Sequence, residues 1–311
     1  MKRRLAIAST LGFGALAGVN RLLTRRAGPL RPPLGLDAGT YRWRGMDIAY
    51  TEGGNPERPD VLLLHEIHRA GSSREFARIF DELAEEYHVI APDLPGFGRS
   101  DRPPIDYSNE LYEAFVTEFV DELTHDPAIV ASSFTSVYAI AAAESASVSK
   151  LLLLCPRSRP VARSNRFIGR LHRLPLIGTS ATNVRTTSRA IQRTFANTRL
   201  ISPGTLAAKD LTYFWQTAHQ PGARFAIGSM LAGDLDIGWD LDDRIESVDT
   251  PVTLLWGRNV TTPPLSRARV LAERADAKLV VIDRSRTWPH YEQAESFLPL
   301  LHEELATVPG R

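Results

Sequence analysis

The sequence predicts an α/β fold: a mostly parallel sheet flanked by helices, with a helical cap inserted between two strands. Three observations carry this. From Gly39 onward, strand-like and helix-like segments alternate, the pattern of parallel strands joined by helical crossovers. Several strand candidates, such as 60–65 and 151–154, are continuous apolar runs, as expected for strands buried on both faces. Residues 156–248 show helical spacing and no strand pattern, so they read as an insertion.

Taken in order, Met1-Lys2-Arg3-Arg4 precedes an apolar run from Leu5 to Val19, and Arg21, Arg25 and Arg26 follow it. Positive charge after such a run opposes translocation. Its 15 residues also fall short of the ~20 that span a bilayer. The segment therefore reads as an uncleaved, membrane-dipping anchor. The alternatives are a signal peptide ending near Ala15-Leu16-Ala17 and a docked N-terminal helix. The stretch Gly28-Pro29-Leu30-Arg31-Pro32-Pro33 reads as a stiff linker.

In the body, 41–43 and 46–50 form a hairpin pair and 60–65 a buried strand. Residues 76–87 have helical spacing through Phe76, Ile79, Phe80 and Leu83. Strands follow at 88–91, 128–132, 151–154, 251–256 and 278–282, with helices at 111–123, 135–145, 264–275 and 294–305. The insertion has helical patches at 165–174, 190–198 and 206–218. The expected organisation is 1–38 as the N-terminal segment and linker, 39–155 with 249–311 as the core, and 156–248 as the cap.

Composition excludes several classes. With 43% apolar and 23% charged residues, the chain is neither disordered nor fibrous. Its one cysteine, Cys155, rules out an intrachain disulfide or a Cys-based zinc site. At the end of an apolar run it reads as a small core residue. No dinucleotide fingerprint, phosphate loop or metal-spaced cluster occurs, so no cofactor, metal or nucleic acid is expected. Asp234, Asp236, Asp240, Asp242 and Asp243 read as a solvated acidic run.

The net charge of +1 hides a split. Residues 1–36 hold seven basic residues and no acid, 145–209 hold twelve and no acid, and the remainder carries −18. Blocks of this kind point to an anionic partner surface, with pairing of cap arginines to the acidic core as the alternative.

The strings Leu62-Leu63-Leu64-His65 and Asp93-Leu94-Pro95-Gly96-Phe97-Gly98-Arg99-Ser100 closely resemble the α/β-hydrolase fold, as do Trp256-Gly257 and Pro289-His290-Tyr291-Glu292. The resemblance covers nearly all of 39–306 and is esterase- or lipase-like. It implies that Asp93, Gly96, Gly98 and Ser100 are scaffold. It also implies a nucleophile on a strand-to-helix elbow, followed in the chain by an acid and a histidine base. Ser133 takes the nucleophile position, flanked by Ala131 and Thr135 where small residues stand in the family. The acid position falls on Val260, beside Asn259, and the base position on Thr287, five residues before Glu292. An acid after the preceding strand is absent from Cys155-Pro156-Arg157-Ser158-Arg159. Valine cannot orient an imidazole, and threonine cannot act as a general base near neutral pH. His290 is the candidate substitute base, with His65 and His68 as others. The oxyanion donors would be the amides of Ile67 and Phe134. Glu66 would oppose an oxyanion if it pointed inward.

Two functions follow: a hydrolase acting weakly on a small lipophilic ester with a degraded triad, or a non-catalytic member that binds a small ligand or partner. The expected location is membrane-associated, with secreted and cytoplasmic as alternatives. The expected second partner is an anionic membrane surface, met by the N-terminal segment and the basic cap.

Overall fold

The computed structural model describes residues 2–35, 38–160, 164–238 and 240–307, apart from the side chains of 2–12 and Pro203. The side chains of Lys2, Arg3 and Arg4, and all of Arg163, lie outside the described residues.

Helix α1 (Lys2–Ala27) precedes a hairpin of β1 (Ala38–Trp43) and β2 (Met46–Gly53). Arg44 and Gly45, both at positive φ, close it with the register Trp43 opposite Met46, a two-residue loop suited to the strand twist. Then come β3 (Asp60–Leu64), α2 (Phe80–Glu86), β4 (His88–Pro92), α3 (Asn109–Leu123), β5 (Ala128–Ser132), α4 (Ser136–Ala143) and β6 (Lys150–Leu154). Between β6 and the next strand lie α5 (Arg166–Arg173), α6 (Pro175–Arg185), α7 (Ser188–Thr198), α8 (Ala208–Ala218), α9 (Arg224–Ala232) and α10 (Leu241–Ser247). The chain ends with β7 (Val252–Gly257), α11 (Leu265–Arg274), β8 (Lys278–Ile282), α12 (Pro289–Glu292) and α13 (Ala294–Leu305).

The eight strands form one sheet in the order β1-β2-β4-β3-β5-β6-β7-β8. Pairing is antiparallel at β1–β2 and β2–β4 and parallel elsewhere. Every residue of β3, β4, β5 and β6 is buried, which is why their middles are continuous apolar runs rather than alternating, with polar residues such as Asp60, His88, Ser132 and Lys150 only at strand ends. One face packs on α3 and α4 through Phe115, Phe119, Val137 and Ile140; the other packs on α2 and α13 through Phe80, Leu83, Phe297 and Leu301.

The loop after β4 carries the scaffold role that the resemblance implied. Asp93 accepts from Ser73 N, Ser73 Oγ and Arg99 N at 2.8–2.9 Å. Ser100 Oγ accepts from Ala49 N and donates to Asp93 O. Gly98 sits at φ +49°, where a Cβ would lie 2.0 Å from the Asp93 carboxyl carbon. The loop closes only over glycine.

The acidic run differs from expectation. Asp240 caps α10 by accepting from Asp242 N. Asp242 is buried and ion-pairs with Arg267 and Arg274, so only part of the run is solvated. Charge pairing in the basic block is sparse. Among its described residues, Lys150, Arg173 and Arg199 make ion pairs, with Glu304, Asp106 and Glu66.

Candidate active site and cavity

The elbow is built by an abrupt change of backbone. Strand β5 ends at Ser132, Ser133 adopts φ +58°, and a short 3-10 turn (Ser133–Thr135) leads into α4. A non-glycine residue in the left-handed region is strained and is held there by its surroundings. Thr135, although β-branched, is accommodated because its hydroxyl donates to Ser132 O at 2.8 Å and lies 3.2 Å from Leu64 O. Ser133 is fully buried, and its Oγ has no hydrogen-bond partner. The elbow is present, and its hydroxyl is unpartnered.

None of the eight histidines bonds that hydroxyl. His290, the candidate substitute base, does not reach it. Its Nε2 lies 3.2 Å from Glu75 Oε1, and its ring packs on Phe76 and Phe297. Its position at the start of α12 turns it into the core, beside Glu75 in the loop after β3. His65 Nε2 accepts from Leu94 N at 3.0 Å, and its Nδ1 lies 3.1 Å from Glu66 O. Its role is to tie two loops together. Burial pushes its imidazole down toward the neutral form. His68 Nδ1 accepts from Ala70 N at 3.2 Å, and its ring stands among Phe195, Phe214 and Trp288. Burial, and then the charge of Arg199, drive its pKa well below the ordinary value. Its Nε2 is buried and unpartnered.

Glu66 points inward, and its charge is compensated. Its Oε2 accepts from Arg199 Nε at 2.9 Å and Trp288 Nε1 at 3.0 Å, while its amide donates to Glu75 Oε2 at 2.8 Å. Arg199 lies over Phe195 and Trp288, so one cap residue seals the loop after β3 against the chain before α12. The same joint recurs nearby: Glu292 accepts from Ile201 N, Ser202 N and Arg286 N, and Thr287 Oγ1 donates to Thr198 O at 3.1 Å. The hydroxyl at the base position is thus spent on the cap.

Beside this joint lies a cavity of about 350 Å³, within the range of small-molecule sites. Ile67, Val260 and Thr287 line it, three of the residues that the resemblance assigns to an oxyanion donor, the acid and the base. Phe134 is buried directly after Ser133, and neither residue lines the cavity. Other lining residues, Arg69, Arg185, Phe195 and Met230, come from one loop and the cap. Arg185 carried no signal beyond membership of the basic block, and Arg69, outside the block, carried none. Cys155 is no nucleophile: it is buried, its Sγ lies 3.7 Å from Leu255 O, and burial raises its thiol to about 12.

Comparison with known proteins bears on the family and the fold. A model of the alpha/beta hydrolase family matches residues 61–300. Lipase 1 of Psychrobacter immobilis is 42% identical over 77 residues, which is 24% of this chain and 23% of the lipase. Matches to curated relatives such as this span only a fifth to a quarter of their length. Among solved structures, a serine hydrolase involved in carbazole degradation superposes with a TM-score of 0.70 at 18% identity, over 87% of this chain and 98% of that one. A membrane phospholipase A superposes with 0.69 at 21% identity, over 98% of both chains.

Proposed function

The chain belongs to the alpha/beta hydrolase family, and from that premise we propose that it binds a small lipophilic ligand in the cavity without appreciable hydrolysis. The observation that carries this reading is Ser133: the strained elbow is kept, yet its hydroxyl meets no imidazole, and valine and threonine hold the acid and base positions. A serine hydroxyl without a base is a weak nucleophile, and removing the serine or histidine of such a triad costs about 10⁶ in turnover. The second reading, a weak esterase, draws on the retained elbow and on the lipases among the relatives.

The experiment is labelling with a fluorophosphonate probe, alongside turnover of p-nitrophenyl acetate and butyrate. We expect no labelling at high probe excess and turnover indistinguishable from that of Ser133→Ala. Labelling that disappears in Ser133→Ala would overturn the reading in favour of the esterase.

The same proposal places the protein at an anionic membrane surface. Phe13, Leu16, Val19 and Leu22 on α1, and Phe167, Ile168 and Ile177 on the cap helices, are exposed. Helices α1 and α6 pack together, with Asn183 Nδ2 donating to Asn20 Oδ1 at 2.9 Å. Arg166 and Arg170, which form no ion pair among the described residues, lie on α5 itself. Apolar side chains with adjacent cations suit an interfacial contact. Among the described residues no helix is long and apolar enough to cross a membrane.

A further inference from the structure

The cavity has a charge that its surroundings do not balance. Four arginines line it, Arg69, Arg157, Arg185 and Arg199, against one carboxylate, Glu66. That carboxylate is held by Arg199. Arg69, Arg157 and Arg185 form no ion pair among the described residues, and Arg69 Nε is buried without a hydrogen-bond partner. The other polar contacts of these three are slight: Arg157 Nη2 donates to Thr262 O at 3.2 Å and Arg185 Nη1 to Ala181 O at 3.5 Å.

Like charges converging on one half-enclosed space repel, and the repulsion grows as water is displaced. Burial and then the charges of Arg185 and Arg199 lower the pKa of Arg69; burial and Arg199, partly offset by Glu66, do the same at Arg157. A guanidinium nonetheless stays charged near neutral pH. The remainder of the wall is apolar, including Ile67, Ile191, Phe195, Met230 and Val260. Buried and unpartnered, His68 Nε2 adds one neutral imidazole position.

We propose that this cavity binds an amphiphilic organic anion, whose oxyanion head is held by Arg69, Arg157 and Arg185 and whose apolar body lies along Phe195, Met230 and Val260. The planar guanidinium fork matches phosphate and carboxylate oxygens in pairs, and a bound head group would supply the counter-charge that the chain omits. The inference rests on the cavity being a binding site and names the class of its ligand.

Calorimetric titration of the full chain with octyl phosphate, octanoate, 1-octanol and inorganic phosphate tests it. Octyl phosphate and octanoate should each bind at least about tenfold more tightly than 1-octanol, and inorganic phosphate should bind more weakly than either. Arg69→Gln and Arg185→Gln, shown folded by circular dichroism and thermal melting, should each weaken octyl phosphate by about tenfold to a hundredfold and leave 1-octanol unchanged. Equal binding of alcohol and anions, or undiminished affinity in the folded variants, would overturn the proposal. Inorganic phosphate binding as tightly as octyl phosphate would overturn the amphiphile and leave a free-oxyanion site. Ester turnover on the same preparation separates the two readings. Turnover with intact anion binding sinks only the non-hydrolytic function, and absence of both sinks only this inference.

Discussion

At Ser133 the backbone holds φ +58° around a hydroxyl that bonds nothing. Such strain persists where the surrounding sheet over-determines it; here β5 is buried and paired on both sides, with β3 and β6. The shape of a nucleophile elbow is therefore a property of the fold, while activation, on the proposed reading, depends on the residues at 260 and 287. Introducing Val260→Asp with Thr287→His should raise p-nitrophenyl butyrate turnover by at least about tenfold over wild type, since each triad member contributes orders of magnitude. The single substitutions should gain little, because the two groups act as a unit. Turnover unchanged in a folded double variant would show that Glu66 or the buried state of Ser133 is the deeper block.

Two elements depend on single joints. The first is the loop after β4. Gly98→Ala places a methyl group against the Asp93 carboxylate at a positive φ, and should cost about 3 kcal/mol or more in urea unfolding. The second joins the start of β6 and β7 to α13. Glu304 accepts from Lys150 Nζ at 2.8 Å and Thr253 Oγ1 at 2.7 Å and pairs with Lys278. Burial alone would raise its carboxyl, but these donors bring it down to about 2. A carboxyl depressed on folding stabilises the protein above its ordinary pKa and loses that contribution as protons bind. Stability should thus fall as pH drops from about 4.5 toward about 2, and Glu304→Gln should flatten that portion of the urea-unfolding profile. At pH 7 the variant leaves Lys150 buried without its charge partner, at a cost of about 3 kcal/mol.

At the scale of the molecule, α1 packs on α6, and α1, α5 and α6 each expose apolar side chains, which the proposed membrane contact would use. Co-sedimentation should show binding to vesicles of phosphatidylglycerol and phosphatidylcholine and little binding to phosphatidylcholine alone, lost in high salt as screening shortens the field. Phe13→Asp with Phe167→Asp should remove it without lowering the melting temperature, because both side chains are exposed. Binding indifferent to lipid charge would count against the surface. The strands were legible from the chain alone because burial on both faces demands unbroken apolar runs, and Ser133, Val260 and Thr287 were legible because their distance along the chain from recognisable strings is short. Helix α9 was not. Its middle, Ala226 to Met230, is buried, which leaves no amphipathic period, and α6 opens on Pro175 and holds Gly178. The inward turn of Glu66, the pairing of His290 with Glu75, and the meeting of Arg69 with Arg185 and Arg199 depend on contacts between residues that lie far apart in sequence. Sequence by itself determined the fold and which residues stand at 133, 260 and 287, because local pattern carries these. Only the tertiary structure decided where the charges meet, because that is set by how the cap packs against the loops over the sheet.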